Sequence, residues 1–275
     1  MGKNNAARFP VFHVPHDGEV FPPELLQAVC VPMELFLRYH DEMRDAGARE
    51  MVPQLYRNEE HAVIFPVSRL LCDVERFLGP EEPMERYGMG FCYERVYDGT
   101  RIKAVTEELK QRTLRYYREH HARLDALCAL HPRLLLLDLH SFSDAIVPKA
   151  QLHPGMETPD VCLGVDTRFT PEALAATAEQ ILREAGFSTA RNYPYAGSMV
   201  PNAVMNRSVD CDCISLMLEW NRRAYCCDAG TPDPEKLARI RTTIEQIAVE
   251  YEKDEKNKKV HDLWTTGFYQ RGILY

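Results

Sequence analysis

No apolar run in this 275-residue chain approaches the ~20 residues that a membrane-spanning helix needs. Met1 to Arg8 also lacks the apolar stretch that would follow the charged start of a secretory signal. No segment carries the dense lysine and arginine footprint that phosphate neutralisation requires, and a net charge of −8 argues against a nucleic-acid partner. The cluster from Lys253 to Lys259 mixes both signs and fits a solvated helix end. Paired C-x-x-C spacings are missing. The nine cysteines, odd in number and mostly set in apolar segments, fit reduced cytoplasmic thiols and give little support to a thiolate zinc site. Repeats, low-complexity tracts and linkers are absent, so residues 1–275 are expected to form one domain, and 45% hydrophobic content is ample for its core.

Strands and helices alternate along the chain. The run Arg133-Leu-Leu-Leu-Leu-Asp138-Leu-His140-Ser141 has the continuous apolar character of a strand buried on both faces. Phe9 to Pro15, His61 to Val67, Val161 to Val165, Phe187 to Asn192 and Ile214 to Glu219 are further strand candidates. Helices are predicted from Pro22 to about Cys30, from Pro32 to Ala46, over Ile102 to Leu130, from Thr170 to Ala185 and from Thr231 to about Lys253. His120 and His121 lie in the long helix; adjacent residues diverge around a helix axis, so both are expected to be surface or packing residues. The pattern predicts an α/β fold, a single mixed and mostly parallel sheet with helices on both faces. Tyr87, Phe91, Tyr93 and Tyr97, in a loop-like stretch from Gly79 to Gly99, either cover a pocket or pack over the sheet edge. Trp264, Phe268, Tyr269 and Tyr275 form an aromatic C-terminal stretch that packs on the domain or on a partner.

Several predicted strands end in polar residues, and the carboxyl ends of such strands are where open α/β sheets bind ligands. His140 ends one, and His16-Asp17-Gly18-Glu19 follows another. His16, Glu19 and His140 together would make a two-histidine, one-carboxylate site for one zinc ion, with the fourth position open to water. Asp41 competes with Glu19 for the carboxylate place. Asp138 is suited to orienting a ligand from behind, as metal-bound histidines require. Glu219 ends another apolar run, where a carboxylate beside an activated water would act as the general base of amide hydrolysis; alternatively it pairs with Arg222 or caps a helix. Arg69 and Arg76 have the donor fork that grips a carboxylate and so suggest a small anionic substrate, unless they pair with Asp73 or Glu75. Ser141 lacks the G-x-S-x-G elbow of a serine hydrolase.

The ordered set Pro15-His16-Asp17-Gly18, Ser68-Arg69 through Asp73 and Arg76, Asp138-Leu-His140-Ser141, Asn192-Tyr-Pro-Tyr-Ala-Gly197 and Glu219-Trp-Asn-Arg222 resembles the N-formylglutamate amidohydrolases, which are related in fold to the zinc carboxypeptidases. The resemblance covers roughly residues 10 to 228. It implies a phosphorylase/hydrolase-like fold, a single zinc, and cleavage of an N-formyl amide to formate and L-glutamate. It makes His16 and His140 the metal-binding histidines, with Glu19 where the carboxypeptidase relatives keep their carboxylate ligand. Glu219 falls at the catalytic glutamate, and Arg69 and Arg76, assisted by Asn192, at the substrate carboxylates. Two positions depart from the family pattern: Glu75 stands where asparagine is usual, and Ala196-Gly197-Ser198 where a Gly-Gly pair is common. Loss of that asparagine puts a different acyl group or amino acid within reach. The rival readings are another N-acyl amino acid deacylase, a metallocarboxypeptidase-like enzyme, and a non-catalytic binding protein, against which retention of Glu219 with both histidines argues.

Overall fold

A computed structural model describes residues 7–79, 81–147, 155–227 and 230–252. The C-terminal aromatics and the Lys253 to Lys259 cluster lie outside the described residues. Among the described residues six strands form one sheet: β1 (Phe9–Val14), β2 (Ala62–Ile64), β3 (Arg133–Phe142), β4 (Val161–Gly164), β5 (Thr189–Arg191) and β6 (Asp212–Asn221), in the order β2-β1-β3-β6-β4-β5. All neighbours are parallel except β4, which runs antiparallel to β6. The expected α/β architecture, mixed and mostly parallel, is therefore present.

Among the described residues seven α-helices accompany the sheet: α1 (Pro23–Leu26), α2 (Met33–Met43), α3 (Ala48–Met51), α4 (Glu107–Leu130), α5 (Glu172–Glu184), α6 (Asn202–Met205) and α7 (Pro234–Glu252). α4 begins at a Thr106 cap whose hydroxyl accepts the Leu109 amide N–H. Proline precedes or opens α1, α2, α5, α6 and α7, where its missing amide proton leaves no hydrogen bond unmade. Among the described residues no helix is long and apolar enough to cross a membrane.

The leucine run of β3 lies between β1 and β6 and is buried on both faces. Side chains alternate along a strand. Leu135, Leu137 and Leu139 join the core built with α5 and α7, through Leu174, Leu182, Ile240 and Ile244. Leu134 and Leu136 pack instead with Leu124, Leu127 and Cys128 of α4. Asp138 and His140 continue the α4 side by the same alternation, as does His13 on β1, opposite Asp138 in register. On β6, Leu216, Leu218 and Trp220 take the α5/α7 side, leaving Met217 and Glu219 on the other. Glu219 pairs in register with His140. Two acids and two histidines are thus delivered to one face near the sheet's carboxyl edge.

A third apolar cluster has little regular structure beneath it. Phe65, Leu70, Leu71, Tyr93, Val96 and Ile102 pack with Leu25 and Phe36 of the early helices and with Leu109 and Tyr117 of α4. This packing holds the segment after β2, including Arg69, Asp73, Glu75 and Arg76, against the site.

Candidate active site

The carboxyl ends of β1, β3 and β6 open into a cavity of about 600 Å3, lined by His16, Asp45, Arg69, Glu75, Arg76, Asp138, His140 and Glu219 among others. His16 follows β1, where Gly18 is needed for the turn: a Cβ there would meet the Val67 carbonyl and lie 2.7 Å from the Pro66 carbonyl carbon. Asp45 comes from the connection between α2 and α3, and its amide N–H donates to the His16 carbonyl at 3.0 Å. That backbone link fixes an acid beside the first histidine.

His16, Asp45 and His140 form a buried group whose ligand atoms lie within 4.8 Å of one another and could hold a metal ion. Asp45 Oδ2 stands 2.9 Å from His140 Nδ1 and 3.7 Å from His16 Nδ1. His16 Nδ1 is buried with no hydrogen-bond partner among the described residues, while His16 Nε2 sits 2.9 Å from Asp73 Oδ1. One ring nitrogen is thus held by a carboxylate and the other left bare, the arrangement in which a histidine serves a metal. His13, Glu75 and Asp138 make a second group within the same distance limit.

Behind the first group lies a polar chain. Asp138 Oδ1 is 3.1 Å from His140 Nε2 and accepts from His13 Nδ1 at 2.8 Å. His13 Nε2 lies 2.8 Å from His120 Nε2, a contact in which one ring donates and the other accepts. His120 is therefore a buried partner in this chain, while His121 reaches the Val74 carbonyl at 2.8 Å. Asp73 gathers the Tyr93 hydroxyl at 2.7 Å, Arg69 at 3.0 Å and Arg76 at 3.7 Å.

The electrostatics follow from burial opposed by neighbours. Burial alone would raise Asp73, yet His16, Arg76 and Arg69 hold its carboxyl well below the usual range. Burial likewise opposes ionisation of Asp45, and the hydrogen bond from His140 with the nearby His16 ring overcomes it and lowers its pKa. His140 is pushed well up by Glu75 and Asp138 against the desolvation of its ring. Glu219 behaves oppositely: burial dominates the pull of His140 and lifts its carboxyl to about 8. Paired groups driven apart in this way are a mark of acid–base chemistry.

Of the expected set His16, Glu19 and His140, the structure brings together only the histidines. Glu19 is 54% exposed and pairs with Arg44 and Arg49, because the turn after His16 carries its side chain to solvent. Asp41 is exposed on α2, and Asp45 is the carboxylate that lies beside both histidines. Asn192 lies outside the cavity lining. Its backbone is left-handed, at φ 52°, and its amide braces a loop, accepting from Val165 N at 2.7 Å and Gly197 N at 3.2 Å. Arg69, Arg76 and Glu219 do line the cavity. Asp45 was missed because nothing in the segment Arg44-Asp45-Ala46-Gly47 ties it by spacing to His16; a lone acid before a glycine between two helices was the available signal.

Residues 10–226 match the family profile described as N-formylglutamate amidohydrolase. The chain belongs to this family of amidohydrolases. Among solved structures, the N-formylglutamate amidohydrolase from Ralstonia eutropha JMP134 is 23% identical, with 91% of this chain and 95% of that one covered and a TM-score of 0.68. A gene product of Agrobacterium tumefaciens is 16% identical over 90% of this chain and 92% of its own, with a TM-score of 0.57. At these identities both show likeness of fold. No curated protein matches the chain in sequence.

Proposed function

We propose that the chain is a zinc-dependent amidohydrolase that cleaves the N-acyl amide of a small anionic amino-acid derivative, its family's named reaction being that of N-formyl-L-glutamate. The supporting observation is the convergence of His16, Asp45, His140 and Glu219 on the floor of one cavity. The bare Nδ1 of His16, the ring of His140 and the carboxylate of Asp45 form a nitrogen and oxygen donor set that suits zinc with an open position. Bound there, one zinc ion supplies a Lewis acid that activates water and polarises the amide carbonyl.

The protein's own groups do the rest. Glu219 takes the proton of the attacking water and returns it to the leaving nitrogen. Arg69 and Arg76 orient the substrate carboxylate. Asp73 and Asp138 keep His16 and His140 in position from behind. Nine free thiols accord with a cytoplasmic location.

Elemental analysis of the purified protein and assay of formate release from N-formyl-L-glutamate and other N-acyl amino acids test the reading. Stoichiometric zinc and amide cleavage that stops on metal removal are expected. Unchanged activity in metal-free protein would sink the mechanism.

A further inference from the structure

Resting on His16, Asp45 and His140 as the zinc site, we infer that His13, Glu75 and Asp138 hold a second divalent metal ion beside it.

One nitrogen of His13 and one oxygen each of Glu75 and Asp138 lie within 4.8 Å of one another. His13 and Asp138 are buried on adjacent strands and opposite in register, so the packing of the sheet fixes both. Glu75 is anchored through its backbone, its amide N–H donating to Asp73 Oδ1 at 3.0 Å. A neutral imidazole with two carboxylates matches the charge of a divalent ion, and mixed nitrogen and oxygen donors suit zinc or a metal of similar character. Glu75 and Asp138 line the cavity, which gives the ion its way in.

Two buried atoms of this group want a partner. Glu75 Oε1, 3.7 Å from His13 Nδ1, has no hydrogen-bond partner among the described residues. His140, 4% exposed, points Nε2 at the same place, 3.1 Å from Asp138 Oδ1 and 3.3 Å from Glu75 Oε2, and that nitrogen also lacks a partner of hydrogen-bond geometry. His13 repeats the arrangement of His16: Nε2 is held from behind, by His120 at 2.8 Å, and Nδ1 turns to carboxylates. With a metal on Nδ1, His13 carries its proton on Nε2 and His120 accepts it. Glu75 Oε2 also lies 3.7 Å from His16 Nδ1, so this carboxylate stands between the two groups with one oxygen towards each. Paired ions of this kind recur in hydrolytic metal centres. The hydrogen bond of 2.8 Å between His13 and Asp138 has to open first, so the second ion binds more weakly than the first and is taken up from excess metal.

The test counts metal on chelator-stripped, full-length protein dialysed against excess zinc, and records cadmium NMR spectra of the same protein loaded with cadmium. Two ions per chain are expected, with two cadmium resonances in the range of nitrogen and oxygen donors. Glu75→Gln keeps the size of the side chain and every ligand of the first group, and should lose one ion and one resonance; Asp45→Asn should lose the other. A single ion that disappears in Asp45→Asn, as when Glu75 serves only to pair with His140, or two ions retained in Glu75→Gln, would overturn the inference and leave the amidohydrolase reading standing. A single ion that survives Asp45→Asn and disappears in Glu75→Gln would uphold the new site and overturn the zinc site instead. Protein that binds no ion would overturn both.

Discussion

Burial lifts the Glu219 carboxyl from an ordinary 4.5 to about 8, against the opposing charge of His140. Because the folded value lies above the unfolded one, the native state holds more protons between them. The residue's contribution to stability is fullest below about 4.5 and falls as pH rises towards 8. Metal-free Glu219→Gln should therefore match the parent near pH 4 and exceed it at pH 9, by on the order of 2 kcal/mol in denaturant midpoints. The same change should cut turnover by roughly 10²–10⁴-fold with zinc retained. A variant no more stable at pH 9 would mean that Glu219 is not held neutral in the fold. Asp45 and Glu19 offer a matched pair of tests. Asp45→Asn should release most of the zinc, whereas Glu19→Gln, altering an exposed partner of Arg44 and Arg49, should keep the full complement by metal analysis.

At the scale of elements, the sheet acts as a positioning device. The alternation that puts Leu134 and Leu136 on α4 and Leu135 and Leu137 on α5 and α7 also aims Asp138 and His140, so packing and ligand placement share one register. That much was legible from four leucines ending in an acid and a histidine. The antiparallel direction of β4 was not, because local residue pattern does not encode which way a strand runs beside its neighbour. Nor was the Glu19 side-chain direction, since H-x-x-E spacing leaves the turn after Pro15 undetermined. His120 is expected to be a surface or packing residue, yet register places His13 opposite Asp138, and the His13–His120 contact makes both part of the support behind His140. Removing that support with His13→Ala should weaken zinc binding by about 10–100-fold with the ligands untouched, as read in competition with a chelating dye. Gly18→Ala should destabilise by about 1–3 kcal/mol, since its Cβ would press on the Pro66–Val67 backbone; an unchanged thermal midpoint would show that the two segments separate easily.

Across the whole molecule the site is a concentration of acidic side chains that the core alone does not explain. Asp45, Asp73, Glu75, Asp138 and Glu219 surround two histidines at the sheet's carboxyl edge. In the metal-free protein Asp73 raises His16, and Glu75 and Asp138 raise His140, each above 6.5 and against the burial of the ring. Histidines raised in the folded state stabilise it fully below their unfolded value, and that contribution fades as pH climbs through the folded value. Zinc needs the same rings deprotonated, so its binding strengthens over the same rise. The two dependences have opposite sign, and the gap in stability between zinc-loaded and stripped protein should widen with pH. Free zinc at 100 times its dissociation constant contributes about 2.7 kcal/mol, which scanning calorimetry resolves as a shift of several degrees. The difference in midpoint between loaded and chelator-treated protein should be clearly larger near pH 8 than near pH 6, and zinc added back to the stripped protein should restore it. A gap of the same size at both pH values would place the ion on groups other than His16 and His140.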